Sequence, residues 1–139
     1  MHKTFTLADA NRTLPLVSRI VRDLVARYPA WRDLVSEYEL LTASQRADAP
    51  DPRVEQLERE VSSLAREIDG YIAEVTELGA VVQSPLDSGL VDFPGINDGR
   101  SIVGGVRLGE EAIEDWDERD GGFAGRQPIR ALGFAYGWA

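Results

Sequence analysis

Two runs of apolar residues with heptad spacing dominate the first half of the chain. Both runs alternate steps of three and four residues without an error. Such a stripe is typical of helices that pack against each other along their length. The first run is Leu14, Val17, Val21, Leu24, Tyr28, Trp31, Val35 and Tyr38, and the second is Val54, Leu57, Val61, Leu64, Ile68, Tyr71, Val75 and Leu78. The pattern predicts two long helices with a shared seam.

The connector between the two runs predicts that the helices lie antiparallel. Residues 44–52 are polar and contain two prolines. Asp51 is a suitable N-cap residue, and Pro52 suits the first position of a helix. Helices of similar length joined by a short connector fold back on each other. We therefore expect helix one over about 14–43 and helix two over about 52–78.

Capping residues and prolines modify the expected course of helix one. Thr6 is a good N-cap with Asp9 three residues later, which predicts a short helix before the long one. A second helix start is expected at Leu14-Pro15, because proline is tolerated in the first turn. Pro29 lies inside the heptad run, and the heptad phase is the same on both sides of it. We expect a kink near Pro29 rather than two separate helices.

The composition changes after Gly79, since eleven of the 13 glycines lie in residues 80–139. Short apolar runs bounded by Gly, Pro and Asn predict strands near 80–82, 90–93 and 101–108, with Gly104-Gly105 as an interruption. Residues 110–118 are expected to form a short acidic helix that turns Ile113 and Trp116 inward.

These elements predict a mainly α fold with a small β-containing C-terminal segment. The core element is a long, coiled-coil-like antiparallel hairpin, which would become a helical bundle on dimerisation. We expect a single domain over residues 1–139. Within it, residues 1–79 form an N-terminal cap and the hairpin, and residues 80–139 form a Gly-rich α+β segment packed on the hairpin.

Charge and composition exclude several classes of function. The net charge of −9 argues against nucleic acid and anionic membrane surfaces as partners, because both require a basic protein surface. No apolar run approaches the roughly 20 residues of a membrane span, so we expect no membrane partner. There are no cysteines, which removes thiolate chemistry and fits a cytoplasmic location. The single histidine, His2, disfavours a catalytic triad or a histidine metal site. The absence of these usual nucleophiles and bases disfavours an enzyme, although a mechanism that uses only carboxylates stays open.

Short motifs along the chain carry a family resemblance. The opening Phe5-Thr6-Leu7 through Leu14-Pro15 is one of them. In the second half they are GLVDFP at 89–94, DGR at 98–100, LGE at 108–110, Trp116, and GFAGRQP at 122–128. Together these motifs resemble the signature of the bacterial domain-of-unknown-function family 2203, over nearly the whole chain. The resemblance implies a bacterial source and no particular activity.

The chain departs from that family's pattern at two places. Members often have a Cys-Trp pair where this chain has Gly104-Gly105. They often have a histidine after the tryptophan, where this chain has Asp117. If that cysteine and histidine served a chemical role, this chain does not have it.

The densest polar cluster is a run of carboxylates in residues 110–120. On a helix, part of this run would share one face and offer oxygen ligands to a hard cation such as Ca²⁺, Mg²⁺ or Mn²⁺. The candidate metal ligands are Glu110, Glu114, Asp117 and Glu118. The favoured interpretation is a solvated acidic face with no cofactor, since no EF-hand spacing is present.

The Gly-rich stretch 122–128 is the second candidate site. Its glycines permit close backbone approach, and the Arg126 guanidinium is a bidentate donor for carboxylate or phosphate. The favoured interpretation is structural, with Arg126 paired to an internal carboxylate such as Asp92 or Glu110. A small-ligand site is the alternative, and its candidate residues are Arg100, Trp116, Phe123, Arg126 and Gln127.

Apolar residues beside the two heptad stripes predict self-association. A two-helix seam needs only the a and d positions, yet both helices carry further apolar residues. The candidate interface residues are Leu16, Ile20, Leu34 and Ile72. We expect a homo-oligomer, at least a dimer, that acts by self-association or protein–protein interaction. The alternative is a small-ligand or divalent-cation-binding domain.

Overall fold

In the computed structural model, the described residues form a two-helix hairpin and an antiparallel five-stranded sheet. The structure describes residues 4–46, 48–97, 100–113, 115–118 and 127–128, and only the backbone of Asn97, Arg100, 115–118 and 127–128. The elements are α1 (Leu7–Ser44), α2 (Pro52–Glu77), β1 (Val81–Val82), β2 (Leu90–Asn97), β3 (Arg100–Arg107), β4 (Asp115–Glu118) and β5 (Gln127–Pro128). The predicted fold class, mainly α with a small β segment, is confirmed.

Helix α1 is continuous over 38 residues and begins earlier than expected. The Thr6 hydroxyl caps it by accepting a hydrogen bond from the Asp9 N–H at 3.0 Å. The prediction of a separate short helix before Leu14 is therefore wrong. Pro15 costs α1 a backbone hydrogen bond, but Leu14 and Val17 beside it are buried, and their burial holds the helix together. The expectation of one helix across Pro29 is confirmed.

The heptad stripes form the seam between α1 and α2. None of the sixteen stripe residues is exposed, and Leu24 and Leu57 are fully buried. Helix α2 starts as predicted, with the Asp51 carboxylate accepting from the Arg53 N–H at 2.9 Å and Pro52 in the first turn. The antiparallel hairpin is confirmed.

The main hydrophobic core lies where the sheet packs on the hairpin. All buried residues of α1 fall between Ala10 and Leu24. One face of β2 and β3 contributes to the same cluster, with Val91 opposite Val106 in the register. The segment before α1 joins this core through Phe5, whose ring meets Phe93 edge-on at 5.2 Å between centroids.

The described residues 110–113 and 115–118 do not form the expected acidic helix. Residues 115–118 form β4, which pairs with β3 so that Trp116 stands opposite Gly104. A helix of nine residues is marginal on its own, whereas pairing with the edge of β3 satisfies the backbone of both strands. The pairing between β2 and β3 also runs without a break through Gly104-Gly105, so these glycines do not form a bulge.

Candidate interaction surface

An antiparallel helix pair has two sides flanking its seam, and three contacts identify the side that carries the sheet. Asn11 accepts a hydrogen bond from the Ile113 N–H, Val25 lies against Gly89, and Arg32 pairs with Asp87 at 3.7 Å. Val25 and Arg32 each follow a seam residue directly, Leu24 and Trp31. In an antiparallel helix pair, the positions that directly follow a seam residue lie on the same side in both helices. We call this side the sheet side.

The other side of the hairpin, which we call the outer side, is identified by an ion pair. Arg27 Nε lies 3.4 Å from Glu67 Oε1, and these residues directly precede the seam residues Tyr28 and Ile68. Seam positions equivalent to Tyr28 and Ile68 recur every seven residues. The residue directly before each of these positions lies on this side, and so does the residue four positions before that preceding residue. The outer side includes Leu16, Ile20, Asp23, Arg27, Ala30, Leu34, Glu37 and Leu41 of α1, and Arg53, Gln56, Glu60, Ser63, Glu67, Gly70, Glu74 and Glu77 of α2.

The four residues predicted for an interface do not form one surface. Leu16 and Leu34 lie on the outer side, where Leu16 is 47% exposed and Leu34 is half-buried. Ile20 belongs to the same side, but it is 7% exposed and part of the core. Ile72 directly follows Tyr71 of the seam and therefore lies on the sheet side. Periodicity within one helix does not show this division, because it depends on the antiparallel pairing.

Two residues that the structure draws attention to, Leu40 and Gly70, were not singled out from the sequence. Leu40 lies outside the heptad stripe and is 74% exposed near the end of α1. Gly70 lies in the middle of α2 on the outer side, and a Cβ at this position would meet nothing within 4 Å. A glycine inside a predicted helix was a signal in the sequence, because it destabilises the helix by about 1 kcal/mol relative to alanine.

Charged side chains tie the two helices together along the outer side. Tyr71 donates a hydrogen bond from its hydroxyl to Glu67 Oε1 at 2.7 Å, and Glu67 also pairs with Arg27. The hydrogen bond to Glu67 is the main cause that raises the pKa of Tyr71 above its usual value, and the nearby Arg27 acts in the opposite direction. Nearer the connector, Arg53 pairs with Glu37 at 3.2 Å.

The aromatic residues of the first heptad run stay in the seam. The rings of Tyr28 and Trp31 lie 5.9 Å apart, and the Arg32 guanidinium sits over the Tyr28 ring at 5.7 Å. The Trp31 Nε1–H is buried and has no hydrogen-bond partner in the described part of the chain. Tyr28 and Trp31 are half-buried, in contrast to the fully buried seam residues nearer the sheet.

Among the candidate metal and ligand residues, the structure places the backbones of Trp116 and Gln127 opposite each other, as a pair between β4 and β5. Glu114, Phe123 and Arg126 lie outside the described residues. For Arg100, Trp116, Asp117, Glu118 and Gln127 only the backbone is described. Glu110 accepts a hydrogen bond from the Arg107 N–H, and Asp92 accepts one from the Gln83 side chain. No group of three or more His, Cys, Asp or Glu side chains that could hold a metal ion occurs among the described residues.

The crevice between α1 and the sheet is too small for an ordinary ligand. It has a volume of about 10 Å³ and is lined in part by Leu14, Val17, Val91 and Val106. Typical ligand pockets have volumes of roughly 300–1,000 Å³. A wider depression of about 600 Å³ lies over α2, but residues of one exposed helix face line it and do not enclose it.

Comparison with known proteins identifies the family. The family model described as "Uncharacterized conserved protein (DUF2203)" matches residues 3–129, and the chain belongs to this family. No curated protein and no solved structure matches significantly. Within the described residues, neither helix combines the length and apolarity that crossing a membrane requires.

Proposed function

We propose that this protein is a cytoplasmic helical-hairpin protein that acts by self-association, and that two copies pair through the outer sides of their hairpins. The observation that carries the proposal is the row of leucines on that side. Leu16 is 47% exposed, and Leu34 and Leu41 are half-buried. Apolar side chains that recur along one flank of a helix are typically buried against a further helix.

The size of the outer side supports a dimer. From Leu16 to Leu41 it is roughly 40 Å long, and two helices make it roughly 20 Å wide. Pairing would cover about 800 Å² on each copy, which is the area of a standard specific interface. Two hairpins paired in this way form a four-helix bundle, and two-fold symmetry is the commonest symmetry of homo-oligomers. The net charge of −9 opposes pairing weakly, since charges are screened beyond about 8 Å at physiological salt.

Sedimentation velocity of the full chain tests the proposal. The wild-type protein should sediment as a dimer at micromolar concentration, and Leu34→Glu should shift it toward the monomer, because a carboxylate would be buried in the interface. Val81→Glu is the matched control, since Val81 is also an exposed apolar residue but lies on edge strand β1. This control should remain dimeric.

Two results would overturn the proposal. The first is a wild-type chain that stays monomeric at high micromolar concentration. The second is a dimer that Leu34→Glu and Leu16→Glu leave intact. Circular dichroism of each variant should show wild-type helix content, so that a change in mass reports association and not unfolding.

A further inference from the structure

The outer side has an excess of negative charge. Its residues include six carboxylates but only two arginines, which leaves four negative charges in excess. Both arginines are engaged within the chain, Arg27 with Glu67, and Arg53 with Glu37 and Glu60. Among the described residues of this side, no arginine or lysine remains to pair with a further carboxylate.

Three carboxylates of the outer side are left without an ionic partner. Asp23, Glu74 and Glu77 are exposed, and none of them forms an ion pair with a described residue. Glu74 and Glu77 lie in the last turn of α2, which contains no basic residue. Carboxylates are unfavourable there, because the C-terminal end of the helix dipole is itself negative. The stability of α2 therefore does not explain these two glutamates.

The excess of negative charge extends along the whole outer side. In the half nearer the sheet, which ends at Arg27 and Glu67, four carboxylates accompany one arginine. In the half nearer the connector, two carboxylates accompany one arginine. A two-fold axis parallel to the helices brings equivalent halves of two copies together, and a perpendicular axis brings opposite halves together. In both arrangements a negative surface meets a negative surface.

We infer that self-association through the outer side is controlled by ionic strength, with these carboxylates opposing the pairing of two copies until salt screens them. This control rests on the self-association proposed above and adds its regulation. The leucine row favours pairing at any salt concentration, whereas the repulsion between carboxylates depends on screening.

The distances involved place the repulsion within the range that salt controls. Packed helices lie about 8–10 Å apart, so carboxylates on the facing sides of two copies are separated by similar distances. The screening length is about 30 Å at 0.01 M salt and about 8 Å at 0.15 M. The repulsion therefore acts at low salt and is largely screened at physiological salt.

Sedimentation velocity of the full chain at two salt concentrations tests this control. The dissociation constant of the wild-type dimer should fall about tenfold between about 10 mM and about 150 mM NaCl. Glu74→Gln combined with Glu77→Gln retains the size of both side chains and removes their charge. At the lower salt concentration this double variant should dimerise about tenfold more tightly than wild type, and its affinity should depend little on salt.

A second double variant separates the charge of the outer side from the charge of the whole protein. Glu55→Gln combined with Glu58→Gln removes the same charge from exposed positions on the sheet side of α2. This control should change the affinity at low salt by less than about twofold, because its charges lie away from the interface. Circular dichroism should show wild-type helix content for both double variants.

The outcomes separate this control from self-association itself. A wild-type dimer whose affinity is unchanged or weaker at the higher salt concentration overturns the control by ionic strength, while self-association stands. Equal tightening in the two double variants also overturns it, since the charge of the whole protein would then be responsible. A wild-type chain that is monomeric at both salt concentrations overturns both proposals.

Discussion

Asn11 on α1 and Ile113 ahead of β4 are joined by a hydrogen bond of 2.8 Å, in which the Asn11 side-chain oxygen accepts from the Ile113 N–H. The two residues are 102 positions apart in the chain. Ile113 is 3% exposed and belongs to the core that the sheet shares with the hairpin. This bond therefore holds the segment leading into β4 against the first turns of α1.

Removing the acceptor at Asn11 should destabilise the protein. Asn11→Ala leaves the Ile113 N–H without its partner, and an unsatisfied buried donor costs about 1–3 kcal/mol. Equilibrium unfolding in urea should show this loss. Asn11→Asp retains an oxygen acceptor and should lose less. Equal stability of wild type and Asn11→Ala would show that this hydrogen bond adds nothing to the fold.

The seam should be most sensitive where it is fully buried. Leu24 is 0% exposed, so Leu24→Ala should cost about 2–5 kcal/mol, as deletion of a packed leucine does. Leu64 is half-buried, and Leu64→Ala should cost less than Leu24→Ala. Leu40→Ala is the control, because this exposed residue should change the free energy of unfolding by less than about 0.5 kcal/mol. Similar losses at Leu24 and Leu40 would contradict the packing described.

Alanine substitutions at Gly89 and Gly109 distinguish the cost of backbone strain from the cost of steric crowding. Both have positive φ, +73° and +102°, where a side chain is disfavoured. At Gly89 a Cβ would also lie 3.1 Å from the Leu108 Cβ, whereas at Gly109 it would meet nothing within 4 Å. Gly109→Ala should cost about 1–2 kcal/mol from strain alone. Gly89→Ala should cost clearly more in a thermal melt, and the reverse order would refute this assignment.

Tyr71 should titrate above its usual pKa of 10.0, mainly because its hydroxyl donates to the Glu67 carboxylate. A raised pKa in the folded state favours the protonated phenol. The bond therefore stabilises the fold below pH 10.0 and is lost as pH rises through the pKa of the folded protein. Ultraviolet titration should show a late transition from Tyr71, which Glu67→Gln moves back toward the usual value. An unchanged titration in Glu67→Gln would refute the assigned cause.

Much of the hairpin is predictable because its signals are local. The caps Thr6 and Asp51 act within three residues, and the heptad stripe requires only that each helix bury one face. The stripe positions are all buried or half-buried, as expected. Local signals also misled in places, since Thr13-Leu14-Pro15 reads as a helix start but lies within α1. There, packing of Leu14 into the core outweighed the cost of proline.

The sequence by itself determined that two helices would pair and that short strands would follow them. The tertiary structure alone decided which side of the hairpin the sheet covers, and therefore that Ile72 lies apart from Leu16 and Leu34. It also decided that residues 115–118 extend the sheet. These outcomes depend on pairings between residues far apart in the chain, such as Arg27 with Glu67 and Gly104 with Trp116. Periodicity states that a face must be buried, but only the assembled chain determines what buries it.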